Sequence, residues 1–246
     1  MSGPRTHLWI AALAAVLTVA VAPLWADVAT PRPRWTTVEM AAEEVNITLG
    51  DDSVKVDAVF EMHNTAAAAT VRMGYPVGIL EEELKGFAVL VDKKPVANVK
   101  TQEGTGTASL RGRGRRRRTP GVAAEPYRFA GPYKEWKVFD IPFAAGQTRT
   151  VRVTYSVAPA RVTDSKHGAL CAYSYTLRTG ATWKGKIAKA TIRVKLDGVA
   201  PERLVRVLPS GCRRTNGGTT LTWTMRDFKP TEDIQIAFRA GGLAAK

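Results

Sequence analysis

Helical periodicity is what this chain most conspicuously lacks: beyond residue 26 there is no heptad and no sustained 3.6-residue apolar pattern, which excludes helical bundles and coiled coils. Histidine is scarce. Of the three present, only His63 and His167 lie beyond the N-terminal segment, far apart and without HExxH or paired-cysteine spacing, so no metal centre is expected. The two cysteines form no CxxC, and the GxSxG nucleophile motif is absent. Asp164, Ser165 and His167 include the residue types of a hydrolase triad, yet they are nearly contiguous on one polar loop. A triad needs a buried, oriented base assembled from distant parts of the chain. Asp51-Asp52 and Glu81-Glu82-Glu83 lack the glycine-spaced oxygen ligands of a calcium loop and read as solvated acidic turns. No catalytic, cofactor-binding or metal-binding residue is expected, and the chain reads as non-enzymatic.

What is present begins with an export signal. Arg5 supplies the positive charge, Leu8 to Val21 the apolar run, and Leu24-Trp25-Ala26 a small-residue exit, so residues 1–26 read as a signal peptide and the protein as exported, periplasmic or extracellular. An uncleaved N-terminal anchor is the alternative; after cleavage no transmembrane segment is expected. Removing 26 of the 246 residues leaves 220, enough for one large β-domain or two small ones.

The rest is written in a period of two, which places alternate side chains on one face of a strand. Val45, Ile47 and Leu49 alternate with polar residues, Gly50-Asp51-Asp52 turns the chain, and Val54 to Met62 resumes the alternation as an antiparallel hairpin. Val71, Met73 and Tyr75 follow, then Phe87, Val89 and Val91, with residues 78–85 the only segment read as a helical turn. Phe139, Ile141 and Phe143 lead through a turn at 144–147 into Val151, Val153, Tyr155 and Val157, which reads as a second hairpin. In Tyr173 to Leu196, two alternating strands flank Thr179-Gly180-Ala181-Thr182-Trp183-Lys184-Gly185, where glycines permit tight backbone and Trp183 offers an apolar lid. This segment reads as a β-arch or a long hairpin. Leu221-Trp223-Met225 and Ile234-Ile236-Phe238 complete the set.

The expected fold is therefore all-β: an antiparallel β-sandwich in two immunoglobulin-like lobes, residues 34–158 and 159–241, with a single continuous sandwich as the alternative. Residues 101–132, rich in small residues, proline and arginine, read as a disordered insertion in the first lobe. Cys171 shares the parity of Tyr173 and points inward. In an oxidising compartment Cys171 and Cys212 are expected to pair, closing a loop of 41 residues, a staple worth about 4 kcal/mol by the chain-entropy argument; two buried thiols are the other reading.

The formal net charge of +14 is concentrated: Arg111, Arg113, Arg115, Arg116, Arg117 and Arg118 contribute six charges within one stretch. Such a segment can hold anionic polymers or lipid headgroups electrostatically, or be a tolerated solvated insertion. No aromatic residue interleaves these arginines, so specific nucleic-acid binding is not expected. Lys189, Arg193 and Lys195 share the polar face of one strand and read as charges that keep a sheet from pairing with another chain.

The segments VEMAAEEVNITLG, DDSVKVDAVFEMHNT, WKVFDIPFAAGQTRTVRVTYSV, YTLRTGATWKGKI and DFKPTEDIQIAF together resemble an uncharacterised family of exported bacterial proteins described only as a domain of unknown function. The resemblance implies export and β-sandwich lobes and carries no active residues. The arginine stretch is where this chain departs from it. The function expected is a scaffold or binding module of the envelope acting through surface contacts, its partner another envelope protein or an anionic polymer; adhesion through Arg111 to Arg118 and an uncharacterised hydrolase are the alternatives.

Overall fold

Strand β1 (Val38–Leu49) shows how local sequence sets the architecture. Val45, Ile47 and Leu49 are buried at odd positions while Val38 and Met40 are buried at even ones. The parity changes because the pairing with β2 (Val54–Asn64) slips between Met40 and Ala42, leaving Ala41 as the extra residue of a β-bulge. The same slip puts Glu43 in the inward row.

The computed structural model describes residues 36–77, 84–103, 133 and 135–241. The other strands are β3 (Ala69–Val77), β4 (Lys85–Val91), β5 (Lys94–Pro95), β6 (Lys100–Glu103), β7 (Glu135–Phe143), β8 (Thr148–Val157), β9 (Ala160–Asp164), β10 (Gly168–Tyr175), β11 (Ile187–Leu196), β12 (Leu204–Leu208), β13 (Arg213–Thr215), β14 (Thr220–Phe228) and β15 (Ile234–Arg239). They form an eight-stranded sheet in the order β13-β14-β11-β1-β2-β8-β4-β5, a four-stranded sheet β12-β15-β10-β9 and a three-stranded sheet β3-β7-β6. Helical structure among the described residues is confined to short 3-10 turns. The fold is an all-β sandwich, as the alternation requires.

Cross-strand rows on the large sheet make its inner face. Leu221, Val194, Ile47, Val56 and Tyr155 lie side by side across five strands, and Trp223, Ile192, Val45, Ala58, Val153 and Val89 form the next row. Both rows are buried. Tyr155 also shows where the second layer sits, because its hydroxyl meets Tyr75 of the three-stranded sheet at 3.1 Å and Tyr173 of the four-stranded sheet at 3.3 Å. Both small sheets therefore cover the same face. The opposite face is wet and carries exposed ion pairs such as Arg152 to Asp57 and Arg193 to Glu44.

Among the described residues the named strands pair antiparallel except β1 and β11, which run parallel, with Ala42 opposite Lys189 and Leu49 opposite Leu196. That seam joins the stretch expected as a first lobe to the stretch expected as a second, and one core cluster runs through both. The hairpin expected from residues 136–157 is not formed. Its two strands separate into different layers, β7 pairing with β3 and β6 while β8 pairs with β2 and β4. Alternation fixes which face of a strand is apolar and leaves its partner open, so the turn at 144–147 can bridge two layers as well as two neighbours. The Tyr173 to Leu196 segment takes the arch form: β10 and β11 belong to opposite layers, and a 3-10 turn at Arg178–Thr182 with buried Trp183 links them.

The expected disulfide is also corrected: Cys171 and Cys212 are both free. Cys171 lies on β10 facing the core, where its thiol meets the carbonyl of Asp51 at 3.8 Å. Cys212 follows β12 in the connection to β13, an edge strand of the other layer. Burial pushes the Cys171 thiol above its ordinary range, which keeps it protonated and unreactive.

Candidate functional site

The three-stranded sheet alternates like the others, so Phe139, Ile141 and Phe143 of β7 enter the main core, while Val138 and Asp140 lie on the other side, Val138 buried in a small second cluster with Tyr133 and Trp136. On that outer side Arg72 of β3 lies directly opposite Asp140, and the two form a two-pronged ion pair at 2.9 and 3.1 Å. A groove of about 840 Å³ runs beside them, lined by Arg72, Asp140, Asn98, Lys100, Gln102 and Glu103 among others. Lys137, next along β7, donates to Thr101 Oγ1 at 2.9 Å and ties β6 to its neighbour. β6 pairs with β7 at the end of the three-stranded sheet. Charges of both signs and amide groups suit recognition of a polar partner. The lining contains neither histidine nor cysteine.

Sequence reasoning did not single out these groove residues. Arg72 and Asp140 are 68 positions apart, and nothing in either segment announces that β3 and β7 pair.

The residues it did single out are dispersed. Asp164 and His167 meet at the β9–β10 turn, where Asp164 Oδ1 accepts from the backbone N–H groups of Lys166 and His167 at 2.9 and 2.8 Å and lies 2.7 Å from His167 Nδ1. These bonds, the His167 backbone N–H foremost, hold the Asp164 carboxyl below its ordinary range. The arrangement is a closed turn with an oriented imidazole. His63 contacts Thr148 Oγ1 at 2.9 Å on the surface. Asp51 is engaged by Arg203 and the Gly241 N–H, and Asp52 by Arg161, so the acidic turn is neutralised by arginine. Among the described residues no three histidine, cysteine or acidic side chains converge as a metal site would require. Arg111 to Arg118, the signal segment and Glu81 to Glu83 lie outside the described residues.

The interior holds a polar cluster that composition does not advertise. Glu43 sits in a third inward row between Ala190 and Phe60, and Tyr175 of β10 donates to its Oε1 at 3.1 Å. Its Oε2 has no hydrogen-bond partner among the described residues. Burial disfavours the carboxylate more than the Tyr175 hydrogen bond stabilises it, and the Glu43 pKa is pushed up to about 8. Nearby, burial and the neighbouring Tyr155 raise Tyr173 well above its usual value. The only sequence signal for Glu43 is its place two residues before Val45 in the same alternation.

No curated protein matches this chain in sequence. Among solved structures, a candidate nutrient-binding protein from Legionella pneumophila superposes with a TM-score of 0.62 at 15% identity, over 88% of this chain and 72% of that one. That likeness shows the fold. An M1 zinc metallopeptidase from Deinococcus radiodurans gives a TM-score of 0.40 at 13% identity, with 82% of this chain spanning 42% of the enzyme. In sequence, residues 144–237, which run from the turn before β8 into β15, match the model of a family described as a domain of unknown function, DUF4424.

Proposed function

We propose that this protein is an exported, non-enzymatic binding module of the cell envelope that engages a partner protein through the groove beside the three-stranded sheet. The groove itself carries the reading: a concavity of about 840 Å³ falls in the size range of binding sites. Its lining offers hydrogen-bonding and charged groups without a nucleophile and base set side by side. Lys100 and Arg72 beside Glu103 and Asp140 set its charge pattern, which a partner of complementary charge can meet. The N-terminal charge and apolar run support export, and the nutrient-binding description of the Legionella protein is in keeping with a binding role.

Affinity capture from envelope extract, at low and high salt, tests this reading. A partner retained at high salt by the natural protein and lost from an Asn98→Ala/Lys100→Glu variant of unchanged melting temperature is the expected result. Capture indifferent to both substitutions would remove the groove from the reading. Turnover of a captured small molecule, abolished by one substitution, would replace a binding module with an enzyme.

A further inference from the structure

The outer face of the four-stranded sheet carries a second concavity, unrelated to the groove above. β9 and β10 pair with Val162 opposite Leu170 and Ala160 opposite Ala172, and β10 pairs with β15 so that Leu170 meets Arg239 and Ala172 meets Ala237. Ala237 in turn lies opposite Arg206 of β12. Leu170 and Ala172 alternate with Cys171 and Tyr173, which point into the core, so they lie on the sheet's other face together with Ala237, although all three are nearly inaccessible. An outward face is ordinarily polar, but here its floor is Val162, Leu170 and Ala237, and a hollow of about 250 Å³ opens above them. Arg206, Val205, Thr163 and the Asp164 and His167 pair form its walls.

Charge decides what this hollow would take. The carboxylate of Asp164 is already committed to two backbone N–H groups and to His167 Nδ1. Arg206 makes no ion pair or side-chain hydrogen bond among the described residues, and the side chain of Arg239 makes no ion pair there either. An apolar floor beside an unneutralised guanidinium fits an anion with a hydrocarbon body. Arginine's planar fork favours a carboxylate. The volume is below the range of roughly 300–1,000 Å³ typical of sites for drug-sized ligands, which limits the hydrocarbon part to a short chain.

We propose that this hollow is a binding site for a small apolar monocarboxylate, its carboxylate held by Arg206 at the rim and its short hydrocarbon chain laid over Val162, Leu170 and Ala237. Arg206 is exposed and outside the core, so replacing it leaves the fold intact.

Titration of the full chain with hexanoate, hexylamine and acetate, followed by calorimetry and by amide shifts, separates the two halves of the recognition. Hexanoate should bind saturably and shift the amides of Leu170 and Ala237. Hexylamine, with the wrong charge, and acetate, without the chain, should each bind at least about tenfold more weakly, a loss of about 1.4 kcal/mol or more. Arg206→Ala should weaken hexanoate by about tenfold with an unchanged melting temperature. Binding of hexanoate to Arg206→Ala as tight as to the natural protein would overturn the proposal, as would equal affinity for hexylamine, or no saturable binding up to about 10 mM, beyond the weakest affinity that such contacts would give.

Discussion

Glu43 is held in its row by geometry that buries it. The bulge at Ala41 turns it inward, Ala190 and Phe60 flank it, and Tyr175 satisfies one of its two oxygens. A neutral carboxylic acid is the form that such a site tolerates. The consequence for stability has a definite sign. The folded pKa of about 8 stands above the ordinary value of 4.5, so the folded protein binds the proton more tightly than the unfolded chain. The stabilisation is fully present below pH 4.5, is lost progressively as pH rises towards 8, and changes no further above that. Within the window the slope approaches a limit of about 1.4 kcal/mol per pH unit. Denaturant midpoints between pH 5 and pH 8 should therefore fall for the natural protein. Glu43→Gln keeps an acceptor for Tyr175 and removes the titration, so its midpoints should fall less steeply. Because His63 and His167 are present in both proteins, the difference between the two slopes isolates Glu43. Parallel slopes would show that the carboxyl ionises as it does in the unfolded chain.

The arch between β10 and β11 is the element that commits the chain to two layers. Its 3-10 turn begins at Arg178, whose backbone N–H and guanidinium both donate to the buried carboxylate of Asp233, just before β15. Asp233 is fully buried at its side chain, whereas Arg178 is half exposed, so the two partners are not equivalent. Arg178→Ala strands a carboxylate in the interior and should cost about 3 kcal/mol, at the low end for a broken buried pair. Asp233→Asn keeps an acceptor and leaves a guanidinium that can turn to water, and should cost about 1.5 kcal/mol. Chemical denaturation of both variants checks the order; the reverse order would mean that Arg178 is the more constrained partner. Trp183→Ala, which empties the lid beneath the turn, should cost about 3–5 kcal/mol. Much of this element is legible in the sequence: Tyr173, Tyr175 and Leu177 on one face, the glycines of the turn and the large apolar Trp183 all follow from spacing. What spacing does not contain is the partner of each strand. Ser174 on β10 and Thr176 just beyond it, which alternate with Tyr173, Tyr175 and Leu177, are buried as well, because burial of a sheet's second face depends on what the whole chain places against it. The separation of β7 from β8, the slip at Ala41 and the meeting of Arg72 with Asp140 are invisible for the same reason. Each is a long-range pairing choice, and a period of two is equally satisfied by its alternatives.

At the scale of the molecule, the parallel seam joins β1 to β11, the strand that follows the arch, and residues from both halves share each inward row. Ile192 is the plainest case, lying between Trp223 on one side and Val45 on the other, with Ala58, Val153 and Val89 continuing the row. Pulling the two halves apart would expose apolar side chains on both sides of the seam and break the ladder that joins them. Neither half therefore keeps its core when the other opens, and unfolding should be a single cooperative transition. Calorimetric and van't Hoff enthalpies should agree, and the fluorescence of Trp136 and of Trp223, each measured with the remaining tryptophans replaced by phenylalanine, should change at the same midpoint. Ile192→Ala removes a fully buried side chain from the seam and should lower that shared midpoint by the equivalent of about 2–5 kcal/mol, moving both probes together. If the Trp223 probe shifted in that variant while the Trp136 probe stayed in place, the halves would be energetically separate units and the seam only a contact between them.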